Sequence, residues 1–213
     1  TVVFNPGAIS VVTTGSLLSG TNLTRVANGT EAATISVQLK DVNGNAIAQA
    51  GVQVTFATTL GTLSSSTETT NSSGLASITI TSIQAGSASV TASITNPSIG
   101  AIQNGSPVTV TFNSGLGSKL VITSLNPSNP IQGINHGVLT VQIQDVNGNP
   151  AAATVETKFS LSLLINDVQA VAGTDFDRFN QNTLSLEGVF AVGSSQTTVD
   201  YLRFKSATRT LSP

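Results

Sequence analysis

The sequence predicts an all-β protein made of two sandwiches in tandem. Three observations point there. Charged residues are only 8% of the 213, against roughly a quarter in an average soluble domain, and Thr, Ser, Asn, Gly, Val and Ala take their place. β-Branched residues suit a pleated surface, while Ser, Asn and Gly compete with helical hydrogen bonds. Apolar and polar residues alternate with the period of two that a half-buried strand requires, and no apolar i, i+3, i+4 pattern lasts long enough for a helix. Finally, one stretch is written twice. ISVQLKDVNGNAIAQAGVQVTF, Ile35 to Phe56, returns as LTVQIQDVNGNPAAATVETKF, Leu139 to Phe159, with DVNGN displaced by 104 residues.

That displacement is too long for a solenoid repeat and matches the length of an immunoglobulin-like sandwich, about 100 residues. The predicted architecture is therefore two tandem immunoglobulin-like β-sandwich domains, residues 7–113 and 114–213, the second divergent. Residues 1–6 read as a closing strand of a preceding or neighbouring module. TVVFNPGAI, Thr1 to Ile9, is echoed by TVTFNSGLG, Thr109 to Gly117. VTVTF, Val108 to Phe112, closes the first unit, so TVVF should close one too.

Within the first unit, Ile35, Val37 and Leu39 alternate with Ser36, Gln38 and Lys40, which sets one face against a core and the other in water. DVNGN follows, an Asn-Gly turn in which both residues accept positive φ and which marks a hairpin. Val52, Val54 and Phe56 form the next inward set. GLASITITS (Gly74 to Ser82), AGSASVTASI (Ala85 to Ile94) and VTVTF supply the remaining strands, and a short linker lies near Asn113 to Ser118. In the second unit Leu139, Val141 and Ile143 repeat the first strand, and Val155, Thr157 and Phe159 repeat the second. From Leu163 to Phe179 periodicity fails, and a long loop is expected. VGSSQTTVDYLRF (Val192 to Phe204) and SATRTLSP (Ser206 to Pro213) match GLASITITS and GSASVTASI.

Counted this way, the chain carries a closing strand in front and wants one behind. A segment of a longer tandem array, cut out of phase, is the preferred explanation. The alternative is head-to-tail strand donation, in which Thr1, Val2, Val3, Phe4 and Asn5 complete the open second sandwich of another copy. An open edge presents unpaired N–H and C=O groups that a donated strand satisfies, and a heterologous contact that does not close on itself builds a fibre.

Little catalytic chemistry can be assembled from these residues. Cysteine is absent, which removes disulfides, thiolate metal sites and cysteine nucleophiles. The net charge is −2 with no basic stripe, so the footprint of nucleic acid is missing. Thr69 to Ser118 holds no charged residue, but no run of some 18 apolar residues suggests membrane insertion. DVNGN places Asp41, Asn43 and Asn45, and again Asp145, Asn147 and Asn149, at the spacing that begins a calcium loop. The glycine at the sixth position and the distal Glu are missing, so an Asx-capped turn is preferred. Asp167, Asp175, Asp177 and Asn180 form the densest acidic patch and are the calcium candidates, with a solvated loop as the favoured reading. His136 stands alone between glycines and reads as a turn residue, without the strained nucleophile that a triad needs. Trp is absent, and there are one Tyr and eight Phe, few for a sugar-stacking cleft; Phe4, Phe56, Phe112 and Phe159 are assigned to the core. Lys158 alone lies where a lysine could approach an interior, and an outward orientation is preferred.

The residues themselves now suggest a family. The D-x-x-G-N of Asp41 to Asn45, the G-V-x-V-x-F of Gly51 to Phe56, the G-T-L-S of Gly61 to Ser64, the S-G-x-A-x-I-x-I-T-S of Ser73 to Ser82 and the A-G-x-x-x-V-T-A of Ala85 to Ala92 occur in that order. Over roughly residues 10 to 112 the series resembles the bacterial Ig-like repeats of the invasin and intimin families. The second copy is similar to related modules of large bacterial surface proteins, but Asp167 to Gln181 replaces its S-G-x-A segment. The resemblance implies an extracellular, cell-surface, rod-forming module whose partners are neighbouring modules or other copies, with no catalytic residues to carry over. The alternatives are the strand-donating filament subunit and an accessory ligand- or carbohydrate-binding module.

Overall fold

The computed structural model describes residues 5–126, 137–162, 164–165, 168–169 and 185–201. The described residues contain strands, turns and no helix, and the chain divides into two compact units between Gly115 and Leu116.

The first unit contains β1 (Leu17–Thr21), β2 (Thr24–Val26), β3 (Ala33–Gln38), β4 (Gln53–Thr58), β5 (Thr62–Leu63), β6 (Thr67–Thr69), β7 (Leu75–Thr81), β8 (Gly86–Asn96), β9 (Gly100–Ala101) and β10 (Val108–Asn113). One sheet has the order β1-β3-β7-β5 and the other β2-β10-β8-β4-β6, with β9 beside β8. Alternation decides which side chains enter the core. Ile35 and Val37 from β3, Val54 and Phe56 from β4, Ile78 and Ile80 from β7, Val90 and Ile94 from β8, and Val110 and Phe112 from β10 are each at most 3% exposed. Burying a side chain of this size is worth about 1.5–3 kcal/mol. On the wet faces, hydroxyls pair across strands, as Ser36 Oγ does with Ser77 Oγ at 2.8 Å and Thr55 Oγ1 with Thr95 Oγ1 at 3.1 Å.

The second unit contains β11 (Lys119–Asn126), β12 (Gly137–Gln144), β13 (Thr157–Ser162), β14 (Leu164–Ile165), β15 (Val168–Gln169), β16 (Ser185–Phe190) and β17 (Gln196–Tyr201). The order β11-β12-β17 repeats β1-β3-β7, and the pair β13-β16 repeats β4-β6. Leu139, Val141, Ile143, Ala151, Ala153, Phe190 and Val199 form its core, with Phe159 and Leu161 packed against them. The Phe159 and Phe190 rings lie 5.1 Å apart at 41°. Gly188 sits opposite Phe159 in the ladder, where a Cβ would come within 2.3 Å of the ring, so the aromatic pair closes over a residue without a side chain.

Four expectations need correction. DVNGN does not join paired strands: β3 and β4 lie in opposite sheets. The turn is closed by the short bridge Lys40↔Ala46, after which the chain crosses between layers. Nor do both turn residues take positive φ. Gly44 (84°) and Gly148 (90°) do, whereas Asn43 and Asn147 are not in that region. The loop is thus the three-residue type in which one glycine supplies the left-handed step. Val155 is 66% exposed and precedes β13; Ala151 and Ala153 take its inward place. The loop expected over Leu163 to Phe179 begins with a small antiparallel ladder, Leu164↔Gln169 and Ile165↔Val168.

Candidate functional site

The most elaborate polar arrangement is the turn written twice in the sequence. Asp41 is 1% exposed, a position a carboxylate tolerates only when its oxygens are bonded. Asn43 N and Asn45 N both donate to Asp41 Oδ1 at 2.9 Å, and Asn45 Nδ2 and Gly7 N both donate to Oδ2 at 2.9 Å. Asp145, also 1% exposed, receives the three bonds of the turn again, from Asn147 N, Asn149 N and Asn149 Nδ2, each at 2.9 Å. The Asn45 side chain, then the Gly7 N–H, hold the Asp41 carboxyl down to about 2 from 3.8. Both oxygens face N–H donors, which suits a turn and leaves them poorly disposed toward a cation. The Asx turn preferred from the sequence is what forms.

The arrangement also fastens the incoming chain. Gly7 is bonded to the turn, Ser10 N donates to Lys40 O at 2.9 Å, and Gln103 N donates to Val11 O at 2.9 Å. Ile9 and Val11 pack against the core. Ser118 N donates to Gln144 O at 2.8 Å in the second unit. The sequence held this signal in F-N-x-G-x-x-S, present at Phe4 to Ser10 and Phe112 to Ser118. Periodicity read that segment only as strand and linker, and missed that Gly7 and Ser10 dock on the turn.

A second feature concerns β11. Leu120 and Ile122 face Ile143 and Val141 across the ladder, which puts them on the core side of the sheet, yet they are 44% and 53% exposed. Leu18, opposite Val37 in the first unit, is 1% exposed, and there Leu18 N donates to Asn104 O at 3.0 Å. Beside Leu120 runs a groove of about 460 Å³ lined by Leu116, Lys119, Thr157 and Phe159 among others. Among the described residues β13 pairs only with β16.

Of the remaining candidates, Asp167, Asp175, Asp177, Asn180 and His136 lie outside the described residues, as do Thr1, Val2, Val3 and Phe4; Asn5 is described and exposed. Among the described residues no three His, Cys, Asp or Glu side chains gather as a metal site would require, and no helix is long and apolar enough to cross a membrane. Lys158 is exposed, as its outward reading requires. Phe56 and Phe112 are buried at 2% and 1%.

Two stacked, mainly antiparallel sheets, one of them carrying the parallel pair β2-β10 at its edge, with a carboxylate-organised turn where the chain comes in, define an immunoglobulin-like sandwich. Comparison with known proteins makes this more specific. Residues 16–113, nearly all of the first unit, match the family model described as bacterial Ig-like domain (group 1), and the matching curated relatives are intimins. Intimin of Hafnia alvei is 47% identical over 77 residues, covering 36% of this chain and 26% of that protein. Intimin of Escherichia coli O127:H6 is 32% identical over 145 residues, covering 62% of this chain and 15% of that protein. The chain thus spans 26% and 15% of the length of these curated relatives. A crystal structure of invasin, a bacterial integrin-binding protein, aligns with a TM-score of 0.52 at 23% identity, over 92% of this chain and 38% of that one. That likeness shows the fold.

Proposed function

We propose that the chain is a structural and adhesive module of an extracellular bacterial surface protein, part of a rod or stalk that works without catalysis. The observation that carries this reading is the 47% identity of part of the chain to intimin. Supporting it, the buried carboxylates hold a turn and, at Asp41, the incoming chain at Gly7. Each unit is stabilised by its ladders and a dry core, and its weakly charged Ser/Thr faces leave neighbouring modules as the natural partners. Antibodies raised against the purified chain should label intact cells of the source bacterium, and external protease should remove the label. Labelling only after permeabilisation would overturn the reading.

A second reading is favoured by the exposure of Leu120 and Ile122 on the core side of their sheet. An acceptor sandwich for the donated strand Thr1 to Asn5 would leave apolar positions open in this way. Under this reading the purified chain forms fibres seen by electron microscopy and loses them when Thr1 to Asn5 are deleted. Monomers at all concentrations would exclude it.

A further inference from the structure

The two ends of the first unit lie side by side. Leu17 faces Asn104 in a parallel bridge, and Thr24, Arg25 and Val26 face Thr111, Phe112 and Asn113, a constant offset of 87 positions. The register survives a change of sheet, because β1 belongs to one layer and β2 to the other. Asn22, between them, takes a left-handed φ of 57°. Main-chain bonds run along the seam: Leu18 N to Asn104 O at 3.0 Å, Thr111 N to Leu23 O at 2.7 Å and Ala27 N to Asn113 O at 2.8 Å. Asn104 Nδ2 adds a bond to Gly15 O at 2.9 Å.

We infer that this parallel seam is a mechanical clamp, the element that resists unfolding when the module is stretched between the chain that enters it and the chain that leaves it. Tension applied before β1 pulls β1 and β2 toward their N-terminal ends. Tension applied after β10 pulls β10 toward its C-terminal end. For parallel neighbours these directions oppose each other along one axis, so the bonds are loaded together in shear. The other neighbour of β10 is β8, which is antiparallel and has Gly86 opposite Phe112. Pulled from that shared end, the pair opens one bond at a time. Bonds that are individually modest at equilibrium therefore act in concert under one direction of load and singly under the other. Forced unfolding reads the barrier rather than the equilibrium. The clamp gives a tether in a surface rod its use, and to that extent rests on the proposed function, but the force measured on the purified chain is independent of where the protein resides.

The chain has no cysteine, so thiol handles can be placed at will on the full protein. Asn5→Cys with Leu116→Cys loads the seam in shear, and Gln84→Cys with Leu116→Cys peels β10 from β8; all three positions are exposed. Single-molecule pulling should need roughly twofold more force, or above, in the first geometry than in the second. Equal forces would overturn the clamp. Thr111→Pro removes the N–H that reaches Leu23 O and should lower the force in the first geometry more than Ile78→Val, a core change remote from the seam. A smaller effect than that of Ile78→Val would also overturn it. Should Thr111→Pro fail to fold, the comparison of geometries on otherwise intact protein still decides. Failure of the clamp with surface labelling intact would leave the surface-module reading standing, and the converse result would leave the clamp.

Discussion

Gly74 sits in the S-G-x-A stretch at a φ of +73°, and a Cβ added there would lie 1.8 Å from Ile47 O. Gly51 has a similar φ of +79° with nothing within 4 Å. Alanine at either position carries the left-handed backbone penalty, about 1–2 kcal/mol. At Gly51 little else should follow. At Gly74 the Ile47 carbonyl must move, and it belongs to a residue whose N–H bonds Leu39 O at 2.9 Å. The bonds from Leu39 N to Gly74 O and from Gly74 N to Asn71 O, both 2.9 Å, share the strain. Overpacking of this sort costs roughly 1–3 kcal/mol, and each weakened bond about 1 kcal/mol. The expected losses are therefore about 1–2 kcal/mol for Gly51→Ala and about 4 kcal/mol or more for Gly74→Ala. The larger figure is a big share of a typical total of about 5–15 kcal/mol. Scanning calorimetry should show the first unit's transition falling by about 5–10 °C in one variant and about 20 °C or more in the other. Equal shifts would refute the argument that Gly74 is required by close approach as well as by φ.

Three further outcomes are expected. The folded carboxyl of Asp41 titrates near 2 and the unfolded one near 3.8, so between those values the unfolded chain binds more protons; the stabilisation is whole above about 4 and is lost as pH falls through about 2. The melting-temperature difference between wild type and Asp41→Asn should therefore shrink over that window, and a pH-independent difference would contradict the assignment. Leu18→Ala should cost about 2–5 kcal/mol in urea titrations, while Ile122→Ala at the corresponding position of the second unit should stay within about 1 kcal/mol, because the side chain is already half in water. Phe190→Ala removes a ring that is 0% exposed and should lower the second unit's transition by about 3–5 kcal/mol while leaving the first unit's transition in place.

The sequence made the layered fold legible where period and burial coincide. Ile35, Val37 and Leu39, or Val52, Val54 and Phe56, announce a strand because one face of each is dry. Leu17 to Val26 escaped notice because the chain changes sheet at Asn22, which breaks the alternation just where the parallel seam forms. β5, β6 and β9 are too short to show a period. Asn-Gly disclosed a turn but not which layer the next strand would join, since that depends on contacts between residues far apart in sequence. The docking of Gly7 on Asp41 was unreadable for the same reason, although F-N-x-G-x-x-S stood at both positions. Val155 misled because an apolar residue of the right parity sits before the strand begins, with Ala151 and Ala153 filling the space instead.

The most direct test of one design carried out twice is amide hydrogen exchange on the full chain. Turn amides normally exchange quickly, but those of Asn43, Asn45, Asn147 and Asn149 donate to carboxylates that are 1% exposed. They should be protected alongside the amides of β3 and β12, in both units. Exchange of these four at the rate of the open loops, or protection in one unit alone, would contradict the claim that the repeated aspartate organises each module.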